Sequence, residues 1–258
     1  MAYFGNDAEI LDQESVKEGR PAWHQRSLYS IWARSFLWLA SIGRLTTTKD
    51  YQAISAGCRT LYELCLDSIL IAAQDDVYAM QQMLLAQSEL VDLYRRVSKF
   101  FQKDGLLIPP YYGVSHEEVV AMLEKAVVQR KKYWPDERSK VGRHPSRSIK
   151  DLAIRAQGFA DCFLVSHANV SLIELYEVDY RLLSSLVHSG PTGLSVWSWE
   201  GINALVVRAL NLSWVFCLTS TQALALHGGF GPRSEELIGR ILDLYVLLSS
   251  PPGEISKG

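Results

Sequence analysis

Tyr180-Arg181-Leu182-Leu183-Ser184-Ser185-Leu186-Val187-His188 is the most informative stretch of the chain. At 100° per residue, Tyr180, Arg181, Ser184 and His188 fall at about 0°, 100°, 40° and 80°, within about 100° of arc on one side of a helix. Leu182, Leu183, Leu186 and Val187 fall opposite them, at about 200° to 340°. Nine consecutive residues thus separate into a polar and an apolar stripe at the helical period, an order that alternation at two cannot produce.

Elsewhere apolar residues also recur at three and four, and almost no run alternates at two, so the chain reads as all-α. The pattern predicts a single bundle of about eight helices. The first covers about His24 to Leu45, with Leu28, Ile31, Trp32, Phe36 and Leu39 on one face, and three threonines turn the chain after it. A second runs from about Lys49 to Ala73, and a third follows Asp75 and Asp76 to about Phe101. Ser115 with Glu118 reads as a capping box for a fourth that ends near Trp134 and Pro135. Ser148 with Asp151 opens a fifth in the same way. The sixth spans about Val170 to His188 before Ser189, Gly190 and Pro191, and the last two cover about Trp199 to Leu226 and Ser234 to Leu247. The expected organisation is an N-terminal arm at 1–22, one helical domain at 23–249 with a basic loop at 130–147, and a disordered tail at 250–258.

The net charge of -2 excludes a uniformly basic nucleic-acid binder, but the average hides an uneven chain. From Lys125 to Lys150 the net charge is +7, leaving -9 for the remainder. Within it, Lys131, Lys132, Tyr133, Trp134, Arg138, Lys140, Arg143 and Arg147 combine cations with two aromatics, the types that hold a phosphate backbone and stack on unpaired bases. Such a run has two readings, a solvated loop or an electrostatic funnel for RNA.

The acidic N-terminus (Asp7, Glu9, Asp12, Glu14) does not read as a secretory signal, and a cytoplasmic location is expected. Ala209 to Phe230 carries no charge, yet its Asn, Ser, Thr, Gln and His residues favour a central bundle helix over a membrane span. Cys58, Cys65, Cys162 and Cys217 show no zinc spacing and read as buried, reduced thiols. His24, His116, His144, His167 and His227 lack partners at metal-ligand spacing and read as surface or capping residues. No metal and no cofactor are expected.

The chemistry centres on the polar stripe. His188 lies in a last helical turn, where the macrodipole favours imidazolium, while a nearby Arg181 disfavours it. An imidazole able to exchange a proton near neutral pH, beside a guanidinium able to clasp a phosphate, suits metal-independent RNA cleavage. One group helps the 2′-hydroxyl attack its phosphodiester while the arginine offsets the developing charge. A structural alternative stands beside it, in which His188 caps carbonyls and Arg181 pairs with Glu177 at i-4. Arg138 and His144 share the spacing but sit in the Pro- and Gly-rich loop. Arg59 and Glu63, at i and i+4 in an apolar helix, form either a packing ion pair or, if Arg59 faces the His188 end of the sixth helix, a second cation in one pocket.

The run Ser148-Ile-Lys-Asp-Leu-Ala followed by Tyr176-Glu-Val-Asp-Tyr-Arg-Leu-Leu-Ser-Ser-Leu-Val-His188 resembles a family of uncharacterised bacterial helical proteins, a domain of unknown function. Ala53-Ile-Ser-Ala-Gly-Cys-Arg-Thr-Leu-Tyr-Glu63 looks like that family's second marked helix. The resemblance covers roughly Trp32 to Leu226. Both features are similar to the HEPN superfamily, helical bundles of prokaryotic defence and toxin systems whose active members are metal-independent RNases with an arginine and a histidine separated by four to six intervening residues. The resemblance implies an HEPN-like core with extra helices, a bacterial toxin or antiphage role, a homodimer, an antitoxin or defence partner protein, and RNA as substrate. It places Arg181 and His188 as the catalytic pair, with Tyr180, Ser184, Arg59 and Glu63 as supporting pocket residues. Leu182 stands where active members commonly carry a polar residue. A second function is therefore kept, a non-catalytic helical module that binds nucleic acid, nucleotide or a partner protein in a defence complex.

Overall fold

The computed structural model describes residues 22–45, 47–74, 148–165, 171–188 and 198–228, with single positions at 79, 121, 124 and 128. The chain divides into two compact units, Met1–Asp75 with Ser148–Gly258, and Asp76–Arg147. Every helix whose bounds are described belongs to the first unit. The helices expected near 75–101, 115–134 and 234–247, the arm, the basic loop and the tail lie outside the described residues.

Among the described residues every regular element is helical, which makes the class all-α. α1 is Ala22–Ile42 and α2 is Tyr51–Ala73, joined through a 3₁₀ turn at Thr48–Asp50. α3 is Ile149–Gln157, followed by a 3₁₀ turn at Ala160–Cys162. α4, Leu172–Leu175, passes through a π-helical turn, Tyr176–Tyr180, directly into α5, Arg181–His188, so the three form one rod. α6 is Trp199–His227.

α2 is apolar around most of its circumference and is accordingly the central element, packed on α1, α3, α5 and α6. Its Leu61, Leu66, Ile69, Leu70 and Ile71 are fully buried, with Leu28 and Ile42 of α1 and Phe216 of α6 beside them in the core. Gly57 sets how closely α1 and α2 approach: a Cβ built there would lie 2.6 Å from Ile42 Cδ1 and 3.3 Å from Trp38 Cε3. A larger residue at this crossing would have to push the Ile42 side chain aside.

α6 packs mainly against α2 and α1. By length and composition it could cross a membrane, and 44% of its most apolar window is buried inside the protein. Its hydroxyls are absorbed locally: Ser213, Thr219, Ser220 and Thr221 each donate to the carbonyl one turn back, at 2.7 to 3.1 Å. This bonding explains how a charge-free stretch can carry so many polar residues in a bundle. Trp199, Val207, Trp214 and Leu226 remain exposed along it.

Capping fixes where the helices begin. The expected box at α3 is present, Ser148 Oγ accepting from the Asp151 amide at 3.2 Å and Asp151 Oδ2 accepting from the Ser148 amide at 3.2 Å. A second box, Ser171 with Glu174, opens α4. The first residue of α4 is then clamped from two sides. The Leu172 amide donates to Gln157 Oε1 at 2.6 Å, and the Leu172 carbonyl accepts from the buried Tyr62 hydroxyl at 2.7 Å.

Two expectations need correction. Cys58, Cys65 and Cys217 are buried, but Cys162 is exposed, because its 3₁₀ turn lies at the surface. The sixth predicted helix is not a uniform α-helix, since the π turn interrupts it where three polar side chains must reach different neighbours.

Candidate functional site

The π turn aims nearby polar residues at separate partners. Glu177 accepts from Lys150 of α3 and from Arg181 Nη1 at 3.0 Å. Asp179, buried, binds Arg208 of α6 with both carboxylate oxygens, one to Nε and the other to Nη2 at 2.7 Å. Tyr180 turns to α2, where its hydroxyl accepts from Arg59 Nη2 at 3.2 Å and donates to Glu63 Oε1 at 2.7 Å.

Tyr180 is a positioned phenol with little surface left for a ligand base to stack on. The Arg59 guanidinium carbon lies 5.0 Å from its ring centroid, Tyr176 stacks on it at 5.5 Å, and Tyr62 approaches at 5.5 Å with a tilt. Burial first, then the Glu63 carboxylate, pushes its hydroxyl above the ordinary tyrosine range against the opposing influence of Arg59. The phenol therefore stays protonated at neutral pH and is available as a donor.

His188 ends α5, is exposed, and meets α2 at the same place: Arg59 Nη1 lies 3.4 Å from its Nε2. Arginine has no lone pair to offer, so in a hydrogen bond between the two the guanidinium donates and Nε2 accepts. Arg59 and Glu63 approach each other to only 3.9 Å, with the Tyr180 hydroxyl bonded to both. Arg59 Nε is buried and has no hydrogen-bond acceptor among the described residues.

Arg59, Glu63, Tyr180 and His188 are thus brought together from two neighbouring rods. Arg181 is held elsewhere. Its side chain is 66% exposed and is paired with Glu177 at i-4, the structural alternative to catalysis, and it lies two turns, about 10.5 Å of helical rise, from His188. Both residues remain on one face of α5, with half-buried Ser184 between them in sequence. The Lys150 ammonium extends the Glu177 cluster and holds that carboxyl below its ordinary range, Arg181 adding to the effect.

Sequence reasoning missed Asp179, Arg208 and Lys150, whose partners are 27 to 29 residues away and carry no short-range spacing signal. Lys131, Lys132, Tyr133, Trp134, Arg138, Lys140, Arg143 and Arg147 lie outside the described residues, as do His116, His144 and His167. Of the remaining histidines, His24 Nε2 bonds the Ile71 carbonyl in the last turn of α2 at 2.6 Å, the second of the two roles, surface or capping, expected for it. His227 packs edge-on to His24. Among the described residues no three His, Cys, Asp or Glu side chains gather to hold a metal ion.

The fold is thus an all-α bundle in which a cation, an imidazole, a phenol and a carboxylate converge at one helix end. The chain belongs to DUF5677, a family of unknown function whose model matches residues 26–201 and so spans both helices of the pocket. No curated protein and no solved structure matches the chain.

Proposed function

We propose that the chain is a metal-independent RNA endonuclease of HEPN type, working in the cytoplasm as a homodimer of a bacterial toxin or antiphage system. The observation that carries it is the His188 pocket: an exposed imidazole with its Nε2 turned to a guanidinium, beside a phenol tied to a carboxylate. Arg181, exposed on the same face of α5, is the second residue of the catalytic pair.

His188 accepts the proton of the 2′-hydroxyl as that oxygen bonds to phosphorus. The P–O5′ bond breaks, the 5′ oxygen takes a proton from solvent, and the products are a 2′,3′-cyclic phosphate and a 5′-hydroxyl. Guanidinium groups offset the charge that builds on the non-bridging oxygens. Proximity in one chain of RNA supplies the nucleophile, so neither a bound water nor a metal is needed for the attack.

The engagement of Arg181 by Glu177, itself bound to Lys150, together with Leu182, favours a second function, a non-catalytic module that binds nucleic acid, nucleotide or a partner protein. Incubation with mixed cellular RNA in EDTA separates the two. The RNase assignment expects cleavage that persists in chelator and falls by about 10²-fold or more in His188→Ala and in Arg181→Ala. Cleavage that survives both substitutions, or vanishes with chelator alone, overturns it.

A further inference from the structure

We infer that Arg59 is the phosphate-holding cation of the pocket, and that a phosphate group docks between Arg59 Nη1 and His188 Nε2 by displacing the contact these atoms make with each other. This deepens the RNase proposal and rests on it for the identity of the phosphate as that of RNA.

The molecule supplies its own comparison. Arg208 shows what a structural arginine looks like here: two hydrogen bonds to one buried carboxylate, in the paired geometry that satisfies a guanidinium. Among the described residues Arg59 has nothing of the kind. The Glu63 carboxylate stays at 3.9 Å and spends its short bond, 2.7 Å, on the Tyr180 hydroxyl instead. The contacts Arg59 does make, 3.2 Å to a phenol and 3.4 Å to an imidazole, are longer than the usual 2.9–3.0 Å for a nitrogen donor, and its Nε is left without an acceptor there.

A half-satisfied guanidinium in a packed setting is costly if its role is structural, and the cost is recovered when an anion arrives. Tyr180 and Glu63 hold it from the Nη2 side, and the guanidinium lies over the Tyr180 ring, on which Tyr176 stacks. Nη1 faces His188, whose exposed ring marks the open side of the pocket. A phosphate oxygen taking the Nη1 hydrogen releases Nε2 at the same moment, so the ligand itself uncovers the nitrogen that accepts the proton. The ligand class is a phosphate monoester or diester.

Calorimetric titration of the full chain with inorganic phosphate tests this without any need for turnover. Wild type should bind, Arg59→Gln should bind at least tenfold more weakly, and Arg59→Lys, which keeps charge without the planar fork, should fall between. A flat wild-type titration, or unchanged affinity in Arg59→Gln, overturns the inference. Thermal melts establish that the variants are folded. If Arg59→Gln is not, Arg59→Lys carries the test, and affinity equal to that of wild type overturns the inference just as well. Phosphate binding that depends on Arg59 in a protein that cuts no RNA would sink only the RNase proposal. RNA cleavage with phosphate affinity indifferent to Arg59 would sink only this one.

Discussion

The hydroxyl of Tyr180 joins two residues that are four apart on α2 and yet do not bond each other directly, Arg59 and Glu63. Tyr180→Phe removes that bridge while keeping the ring that Tyr62 and Tyr176 pack against. Urea unfolding should show a loss of about 1–2 kcal/mol, between the value for a neutral hydrogen bond and that for one to a charged group because the place is only partly buried. An unchanged midpoint would mean that the phenol is a bystander. A second consequence, again of one side chain, concerns acid. Burial, then the neighbouring His24, holds the imidazole of His227 below the ordinary histidine range. The unfolded chain therefore takes up this proton first. The stability His227 contributes is complete above about pH 6.5 and is lost as the pH falls from there through its lower folded value. The melting temperature of wild type should drop more between pH 7.5 and pH 5 than that of His227→Gln. Parallel curves would show that this ring is not a source of acid sensitivity.

Among the helices, α1 and α2 are held at the distance Gly57 permits. A methyl group there meets buried Ile42 at 2.6 Å, so Gly57→Ala should destabilise by about 1–2 kcal/mol in spite of alanine's better helix propensity. Chemical denaturation measures it, and a stabilised variant would mean that Ile42 moves aside freely. The π turn makes a different demand. Asp179→Asn keeps the shape but weakens the pairing with Arg208 across to α6, and should cost about 1–3 kcal/mol in the same measurement, the half-exposed arginine recovering part by hydration. The starts of these helices were legible: Ser148 with Asp151 caps α3 because a capping box is a four-residue pattern that needs nothing distant. Ser171 with Glu174 obeys the same rule and marks the beginning of α4 as sharply. The π turn was not legible, since its cause is a set of partners on three other helices, none of them visible to a helical wheel drawn on one segment.

For the molecule as a whole, hydrophobic periodicity was enough to give the all-α class, because burial of apolar faces dominates folding and is written at short range; the central helix is α2, whereas the helix expected there, α6, keeps four large apolar residues exposed. Three thiols lie in the interior, and burial pushes Cys58 up to about 12 and Cys217 to about 11, with Cys65 higher still. A thiol reagent at neutral pH should therefore modify Cys162 alone in the folded protein and reach all four only on unfolding. Rapid modification of a second thiol would contradict the packing described for α2 and α6. The site was partly legible. Tyr180 and His188 were visible as one polar stripe, but their meeting with Arg59, 129 residues from His188, was one of two open outcomes that only helix packing decides. The spacing of Arg181 and His188 suggested a catalytic pair on one face, and packing gives Arg181 to Glu177, the alternative also read from the spacing, and His188 to Arg59. The chemistry of the RNA ends after incubation in EDTA tests the proposed function at the bond that breaks. Attack by the neighbouring 2′-hydroxyl predicts 2′,3′-cyclic phosphate and 5′-hydroxyl termini and no cut at a position carrying 2′-deoxyribose. Termini with 5′-phosphate and 3′-hydroxyl, or equal cleavage at the deoxy position, would contradict it.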